Sequence, residues 1–411
     1  MKSSTKTTKL AIDGGAPVVT EAIRQSLKPW PLPSARTAER LKQVYLSGKW
    51  SFNGACEQEF SRKFADYCGA RHGIFMANGT VTLEAALHVL GVKAGDEVIV
   101  PGNTWIATAM AAVYLGAKPV FVDVEPDTLC LDPELTRKAV TSKTKAIIPV
   151  HLFGSMADMD RLGKLSRETG IPLVEDCAHA HGGIWNGKGV GSIGQIGSFS
   201  FQQSKALPSG EGGICLTSDD DLADKLFRFK HIGYGTGQKQ GEAATGPAEG
   251  LICHNYRGLE FSAVILTEEL KLLKRQTEQR DANALYFADL IKDIPGITVQ
   301  SRGRRADLQG YYNFVMLLDP KALRKGYTMK EVREALAAEG LSCGRGYGPV
   351  YRHLLWNMPA SAYRIHSRTV VEDSTDNRML SLMHNWLLSG KPVLKAVAKA
   401  VEKVMAAYAK G

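Results

Sequence analysis

Two side chains stand where this sequence can do chemistry, Asp176 and Lys205. Asp176 ends the run Ile171-Pro172-Leu173-Val174-Glu175, and Lys205 follows Gly197-Ser198-Phe199-Ser200-Phe201-Gln202-Gln203-Ser204. Glycines come soon after, in Gly210-Glu211-Gly212-Gly213. A carboxylate at the end of one strand and a lysine just past the next suit an enzyme built around pyridoxal phosphate. The amine forms a Schiff base with the cofactor aldehyde, and the carboxylate keeps the pyridine nitrogen protonated so that the ring draws electrons. A lone lysine after a strand is ordinarily a solvated side chain, but the surroundings of Lys205 point elsewhere. Ser198 and Ser200 alternate with Phe199 and Phe201, so both hydroxyls share one face. Burial beside a cationic cofactor lowers a lysine pKa, which frees the amine to attack and then to shuttle a proton at the substrate α-carbon.

Asp176 also reads as a strand-end cap, yet Ala178, Ala180 and Gly182 leave room for a flat ring, and His179 is placed to reach a phenolic oxygen. His179 and His181 raise a metal alternative, without a third ligand of matching spacing nearby. Asn78-Gly79-Thr80 opens a helical pattern, where free N–H groups and the positive helix end cradle a phosphate. Gly79, Thr80, Ser200 and Lys205 together make a phosphate cup. Trp105, after the strand 97–101, reads either as core or as a stacking partner for the pyridine ring. Arg257, His353 and His384 are candidates for substrate contact, the two isolated histidines reading first as ordinary packed residues.

The elements that must position these groups are short apolar runs alternating with helical patterns. The spacing predicts strands at 72–76, 97–101, 119–123, 145–151, 171–176, 197–201 and 212–217. Helical patterns fill 80–90, 104–115 and 156–169, with Leu83, Leu87 and Leu90 on one face of the first. Such alternation implies a mostly parallel sheet covered on both faces, with ligands beyond the carboxyl ends of its strands. The run 233–250 reads as a loop too polar to pack, and 261–285 as a long bridging helix. Strand-like 297–299 and 312–318, with helices at 329–339 and 393–407, make a smaller α+β unit. The expected division is an arm over residues 1–33, a large α/β domain over 34–270, and the bridge with the small domain over 271–411.

Composition is that of a soluble globular chain of 411 residues, 44% hydrophobic and 23% charged. Its formal charge of +9 is scattered along the chain, which suits solubility or anionic ligands better than nucleic acid. Seven cysteines without a CxxC pair argue against a disulfide framework and structural zinc. No apolar signal core or spanning stretch is visible, so a cytoplasmic protein without membrane contact is expected.

The motifs carry a resemblance. Ala77-Asn78-Gly79-Thr80, Gly95-Asp96-Glu97-Val98-Ile99-Val100-Pro101 and Val174-Glu175-Asp176-Cys177-Ala178-His179-Ala180-His181-Gly182 are three of its elements. Ser198-Phe199-Ser200-Phe201 through Lys205, Gly210-Glu211-Gly212-Gly213 and Asn255-Tyr256-Arg257 complete it. Over about residues 30 to 400 the chain resembles the DegT/DnrJ/EryC1/StrS sugar aminotransferases. The resemblance implies an α/β, type I pyridoxal-phosphate fold, with a mostly parallel seven-stranded sheet and a smaller C-terminal α+β domain. It also implies a homodimer in which Asn255 reaches the phosphate of the neighbouring subunit's cofactor, with Arg257 nearby. Gly79, Thr80 and Ser200 would hold the phosphate and Trp105 cover the ring, while Asp176 and His179 engage ring nitrogen and phenolic oxygen. Relatives with histidine in place of the lysine are dehydratases, and Lys205 places this chain with the aminotransferases. Its wording at 128–133 and 202–205 is most similar to glutamine-dependent inosose and 2-deoxy-inosose aminotransferases of aminoglycoside pathways. The implied substrates are a small amino donor, glutamine or glutamate, and a cyclitol ketone; a 3- or 4-keto nucleotide sugar is the alternative acceptor. Gly258-Leu259 and Pro208-Ser209 depart from the usual pattern.

Overall fold

Each of the seven apolar runs forms a strand, two with the expected ends, His72–Met76 and Glu97–Pro101. The other five are Lys118–Val122, Thr144–Ile147, Val174–Asp176, Ile196–Ser200 and Gly213–Thr217. The computed structural model describes residues 9–238, 241–242 and 250–410, so much of the polar run 233–250 lies outside the described residues. The strands sort into two four-stranded sheets rather than one sheet of seven. The first runs His72–Met76, Gly213–Thr217, Ile196–Ser200, Val174–Asp176; the second runs Arg364–Ile365, Lys118–Val122, Glu97–Pro101, Thr144–Ile147. Isolated parallel bridges, Ile147 to Leu173 and Val150 to Asp176, join their adjacent edges. Pairing is parallel throughout the second sheet. In the first, Gly213–Thr217 runs antiparallel to both neighbours. That reversal makes residues 201–212 the connection of an antiparallel pair. Lys205 therefore sits in a loop at the carboxyl end of Ile196–Ser200.

The Ser/Phe alternation has the expected consequence. Phe199 and Phe201 turn into the core and meet Phe64 edge-on at centroid distances of 5.0 and 5.4 Å, while Phe60 meets Phe201 at 5.3 Å. All four rings are fully buried. Truncating one of them would cost about 3–5 kcal/mol, which anchors the strand that leads to Lys205. Gly258 has a local reason: a Cβ there would lie 2.2 Å from the Phe75 ring. A larger residue at 258 would collide with that ring.

The helix Glu260–Ile291 is longer than the pattern 261–285 and crosses the expected boundary at 270. Its C-terminal half packs Ala284, Phe287 and Ile291 into a second core with the antiparallel sheet Ile297–Val299, Asn313–Leu318, Met379–Met383. Met329–Ala338 and Lys391–Tyr408 cover that core. Contacts cross position 271. Arg364–Ile365 pairs with Lys118–Val122, and Val350 and Trp356 pack with the helix Gly79–Val89. At the other end, Leu10 and Val19 enter the second core, and the Glu339 carboxylate accepts the Ala11 and Val18 N–H groups at 2.8 and 3.0 Å. Among the described residues, no helix is long and apolar enough to cross a membrane.

Candidate active site

A cavity of about 910 Å³ opens beyond the carboxyl ends of the strands, and Asp176 and Lys205 both line it. Gly79, Thr80, Trp105, His179 and Ser200 line it too. Seven candidates scattered over 127 residues thus share one wall, as expected for an open α/β sheet, where the connections diverge past the strand ends.

Asp176 is buried and held from two sides. The Thr108 hydroxyl donates to Oδ2 at 2.8 Å and the Ala178 N–H to Oδ1 at 3.2 Å. Burial pushes its pKa above the ordinary carboxylate value, against these donors and the Lys205 charge. A protonated ring nitrogen placed against it would reverse that balance, because an adjacent opposite charge favours the ionised form. Its neighbour Glu175 has the contrary fate. Its oxygens take N–H bonds from Gly191, Ile193 and Gly194 at 2.6–2.9 Å, with His151 Nε2 at 3.2 Å. Glu175, His151 and Cys177 do gather within 4.8 Å. However, that carboxylate is fully engaged, and burial holds the Cys177 thiol protonated. The cluster is structural.

Lys205 has no carboxylate within ion-pair range among the described residues; its Nζ lies 4.5 Å from the centre of the Tyr312 ring. Burial brings its pKa down to about 8, with Asp176 and Glu211 opposing. An appreciable share of the amine is therefore neutral near pH 7, which a nucleophile for an aldehyde requires. His179 lies flat against Tyr312, ring centres 4.1 Å apart. Its Nδ1 accepts the Phe153 N–H at 3.3 Å, and Nε2 is 3.3 Å from the Tyr347 hydroxyl. Burial holds the ring neutral. Because Nδ1 accepts, the proton is on Nε2, which makes His179 a donor towards an oxygen in the cavity.

The phosphate end is built differently from the expectation of free N–H groups. The Asn78 carboxamide caps the helix Gly79–Val89 itself, accepting from Thr80 N–H at 3.0 Å and Val81 N–H at 3.1 Å. The helix end, the Thr80 and Ser200 hydroxyls and Lys205 remain to face an anion. Gly79 is required here, since a Cβ would lie 2.6 Å from the Ser200 Cβ. A flat ring between Trp105 and Asp176, with an anionic tail at this cradle, fits the donors present. Trp105 is 44% exposed and touches Tyr347 and His353 at 5.6 and 5.7 Å.

Four candidates lie outside the cavity wall. Asn255 forms a backbone bridge with His231, and Arg257 lies 5.1 Å from the centre of the Phe52 ring. His353 stands behind Trp105, its Nδ1 accepting the Leu355 N–H at 3.1 Å. His384 is buried on the far side of Lys205 and contacts the Ser204 carbonyl at 3.1 Å. Conversely, Thr108, Gln202, Tyr256, Tyr312 and Tyr347 line the cavity without having been singled out from sequence. Tyr312 and Tyr347 come from the C-terminal third, and nothing local in their sequence marks them. Thr108 was within reach: it sits one helical turn beyond Thr104, in the segment that follows a strand end.

The chain matches known proteins along nearly its whole length. Residues 33–402 match the family model for the DegT/DnrJ/EryC1/StrS aminotransferase family. The chain is 38% identical to the L-glutamine:2-deoxy-scyllo-inosose aminotransferase of Streptomyces lividus, covering 96% of this chain and 97% of that protein. Against the L-glutamine:scyllo-inosose aminotransferase of Streptomyces griseus the identity is 34%, over 92% and 93%. The crystal structure of 3-amino-5-hydroxybenzoic acid synthase is similar with a TM-score of 0.82 at 34% identity, covering 93% of this chain and 99% of that one.

Proposed function

The chain belongs to the DegT/DnrJ/EryC1/StrS aminotransferase family, and from that premise we propose that it carries the amino group of L-glutamine or L-glutamate to a cyclitol ketone of scyllo-inosose or 2-deoxy-scyllo-inosose type. The setting is amino-cyclitol or aminoglycoside biosynthesis. Pyridoxal phosphate is the cofactor; when bound it supplies an aldehyde for an amine and a ring that accepts electrons. Lys205 supplies that amine and then moves the proton to and from the substrate α-carbon. Asp176, oriented by Thr108, holds the proton on the ring nitrogen. His179 would donate from Nε2 to the phenolic oxygen, Trp105 would cover the ring, and Gly79, Thr80 and Ser200, which all line the cavity, would take the phosphate. Donor and ketone use the one cavity in turn.

The observation that carries the acceptor class is the charge of the wall. Glu84 and Glu211 face the cavity with Asp176, and Lys205 is the single lysine or arginine among the described residues that line it. Tyr114, Tyr256, Tyr312, Tyr347 and Gln202 add groups that bond hydroxyls. A neutral polyhydroxylated ring suits such a wall, whereas a nucleotide diphosphate would meet carboxylates. A second copy of the chain completes the site in this reading. Asn255 and Arg257 point to that, placed outside their own cavity wall, as do the apolar residues exposed beside the mouth. Trp105 and Tyr114 are half exposed, and Leu354, following His353, is 99% exposed. Exposed apolar groups of this kind support the reading.

The test is incubation of the cofactor-loaded protein with glutamine or glutamate and each ketone in turn, with the amine product followed by mass spectrometry. Amination of scyllo-inosose or its 2-deoxy form is expected. Turnover confined to 3- or 4-keto nucleotide sugars would overturn the reading.

A further inference from the structure

The side of Lys205 that faces away from the cavity has its own construction. The peptide carbonyls before and after the lysine Cα each accept one hydrogen bond from a distant part of the chain. His384 Nε2 donates to the Ser204 carbonyl at 3.1 Å, and the Trp30 indole N–H donates to the Lys205 carbonyl at 2.9 Å. The two donors brace each other, ring centres 4.7 Å apart and edge-on at 89°. Behind them the Arg280 guanidinium lies 5.0 Å from the centre of the Trp30 ring. Arg280 is fully buried, and none of its three nitrogens has a hydrogen-bond acceptor among the described residues. The indole face is thus a principal contact of this buried cation, an arrangement that fixes the plane of the ring. Neither Trp30 nor His384 lines the cavity.

We propose that Trp30 and His384 are positioning residues that clamp the backbone on both sides of Lys205. The inference rests on the reading of Lys205 as the lysine that carries the cofactor. The physical need is plain. Lys205 lies in a loop rather than in a strand, and its side chain has four rotatable bonds. An amine that must reach an aldehyde and then a carbon needs a fixed starting point. The loop supplies part of that itself, with Lys205 N–H donating to the Gln202 carbonyl at 2.8 Å and Gln203 N–H to the Gly210 carbonyl at 2.8 Å. Those bonds engage N–H groups and leave the Ser204 and Lys205 carbonyls to outside donors. Position 30 lies in the N-terminal arm and position 384 beside the C-terminal sheet, so the clamp closes only when both chain ends are docked. The carbonyl acceptor also settles the tautomer of His384: its proton is on Nε2, and burial keeps the ring neutral.

Three variants of the full-length, cofactor-loaded chain test this. Trp30→Phe keeps a ring and removes the donor, His384→Leu removes the donor, and His384→Gln restores an N–H. The measurements are kcat and KM, hydrogen–deuterium exchange of the peptide spanning residues 203–208, and borohydride trapping of the cofactor read by peptide mass spectrometry. In Trp30→Phe and His384→Leu, kcat falls about tenfold with KM within about twofold, because the amine is misplaced while substrate binding is intact. Exchange at 203–208 quickens, the cofactor is still trapped on Lys205, and His384→Gln returns both kcat and exchange towards the parent. Unchanged exchange and kcat in the first two variants would defeat the clamp. So would a His384→Gln protein as impaired as His384→Leu, or a loss of kcat that merely follows loss of folded protein. The underlying reading fails separately, if the parent protein traps the cofactor on another lysine.

Discussion

Two desolvated lysines of this protein, Lys230 buried and Lys205 half-buried, lead opposite lives. Lys230, at the end of the helix Asp220–Lys230, points its amine at the Glu57 carboxylate and the Phe75 carbonyl, the latter at 2.8 Å. Glu57 is buried with it, at the start of a helix whose first N–H groups are accepted by Glu260, Cys56 at 2.9 Å and Glu57 at 2.8 Å. Burial lowers the Lys230 pKa and raises that of Glu57, while their mutual attraction holds the pair together. Lys205 meets an aromatic face instead, with its carboxylates acting only through space. Desolvation alone therefore does not make a lysine reactive. The amine must also be left without a hydrogen-bonded counter-charge, and the protein does that in one place and not in the other.

Exchanging or removing these partners tests the contrast. The largest effect belongs to Lys205→Ala, which should lower amine transfer about 10⁴-fold, the upper end of a positioned acid–base group's contribution. It should also abolish the borohydride-trapped cofactor; turnover close to the parent would end the catalytic assignment. Next is Lys230→Met, which leaves Glu57 buried and unpaired and should cost about 3–5 kcal/mol in urea unfolding. Cofactor trapping on Lys205 should survive it, and its loss would mean that the two lysines are not separate systems. Asp176→Asn comes third. A neutral carboxamide cannot hold the ring-nitrogen proton, and kcat should fall about 10²-fold, as for removal of one preorganised electrostatic group. The smallest is a pH profile. Burial lowers the Lys205 pKa to about 8, so the neutral amine is the minority form below that value and the majority form above it. Capture of pyridoxal phosphate by the apoprotein should rise about tenfold per pH unit up to about pH 8 and then level. A rise that continues to about pH 10 would class Lys205 with solvated lysines.

Asp176 and Lys205 were legible because strand ends announce themselves locally. An apolar run closes on a charged residue, and glycines mark where the backbone turns. The parallel sheet followed from the same alternation, since a strand followed by a helix must return in the same direction. Histidines were unequal in this respect. Small neighbours marked His179, which lies in the cavity, whereas nothing local separates His384, behind the lysine, from an ordinary packed residue. The tyrosines at 312 and 347 and the indole at 30 were invisible for a related reason, since the tyrosines come from far along the chain to pack against the large core and the indole is carried in by the arm. The contact of Arg364–Ile365 with Lys118–Val122 was out of reach for want of long-range information, because a two-residue strand has no pattern until its partner lies beside it.

From the chain alone came the element order, the approximate places of the strands, and the pairing of an acid with an amine in one kind of cofactor chemistry. These are local matters, set by side-chain period and by where glycine permits a turn. Folding decided what each charge meets. It gave Glu175 three N–H groups and Asp176 two donors beside open space, and it gave Lys230 a carboxylate and Lys205 an aromatic face. Desolvation and hydrogen bonding depend on neighbours as far as 173 residues away, as for Lys230 and Glu57, so reactivity is a property of the packed molecule rather than of any segment.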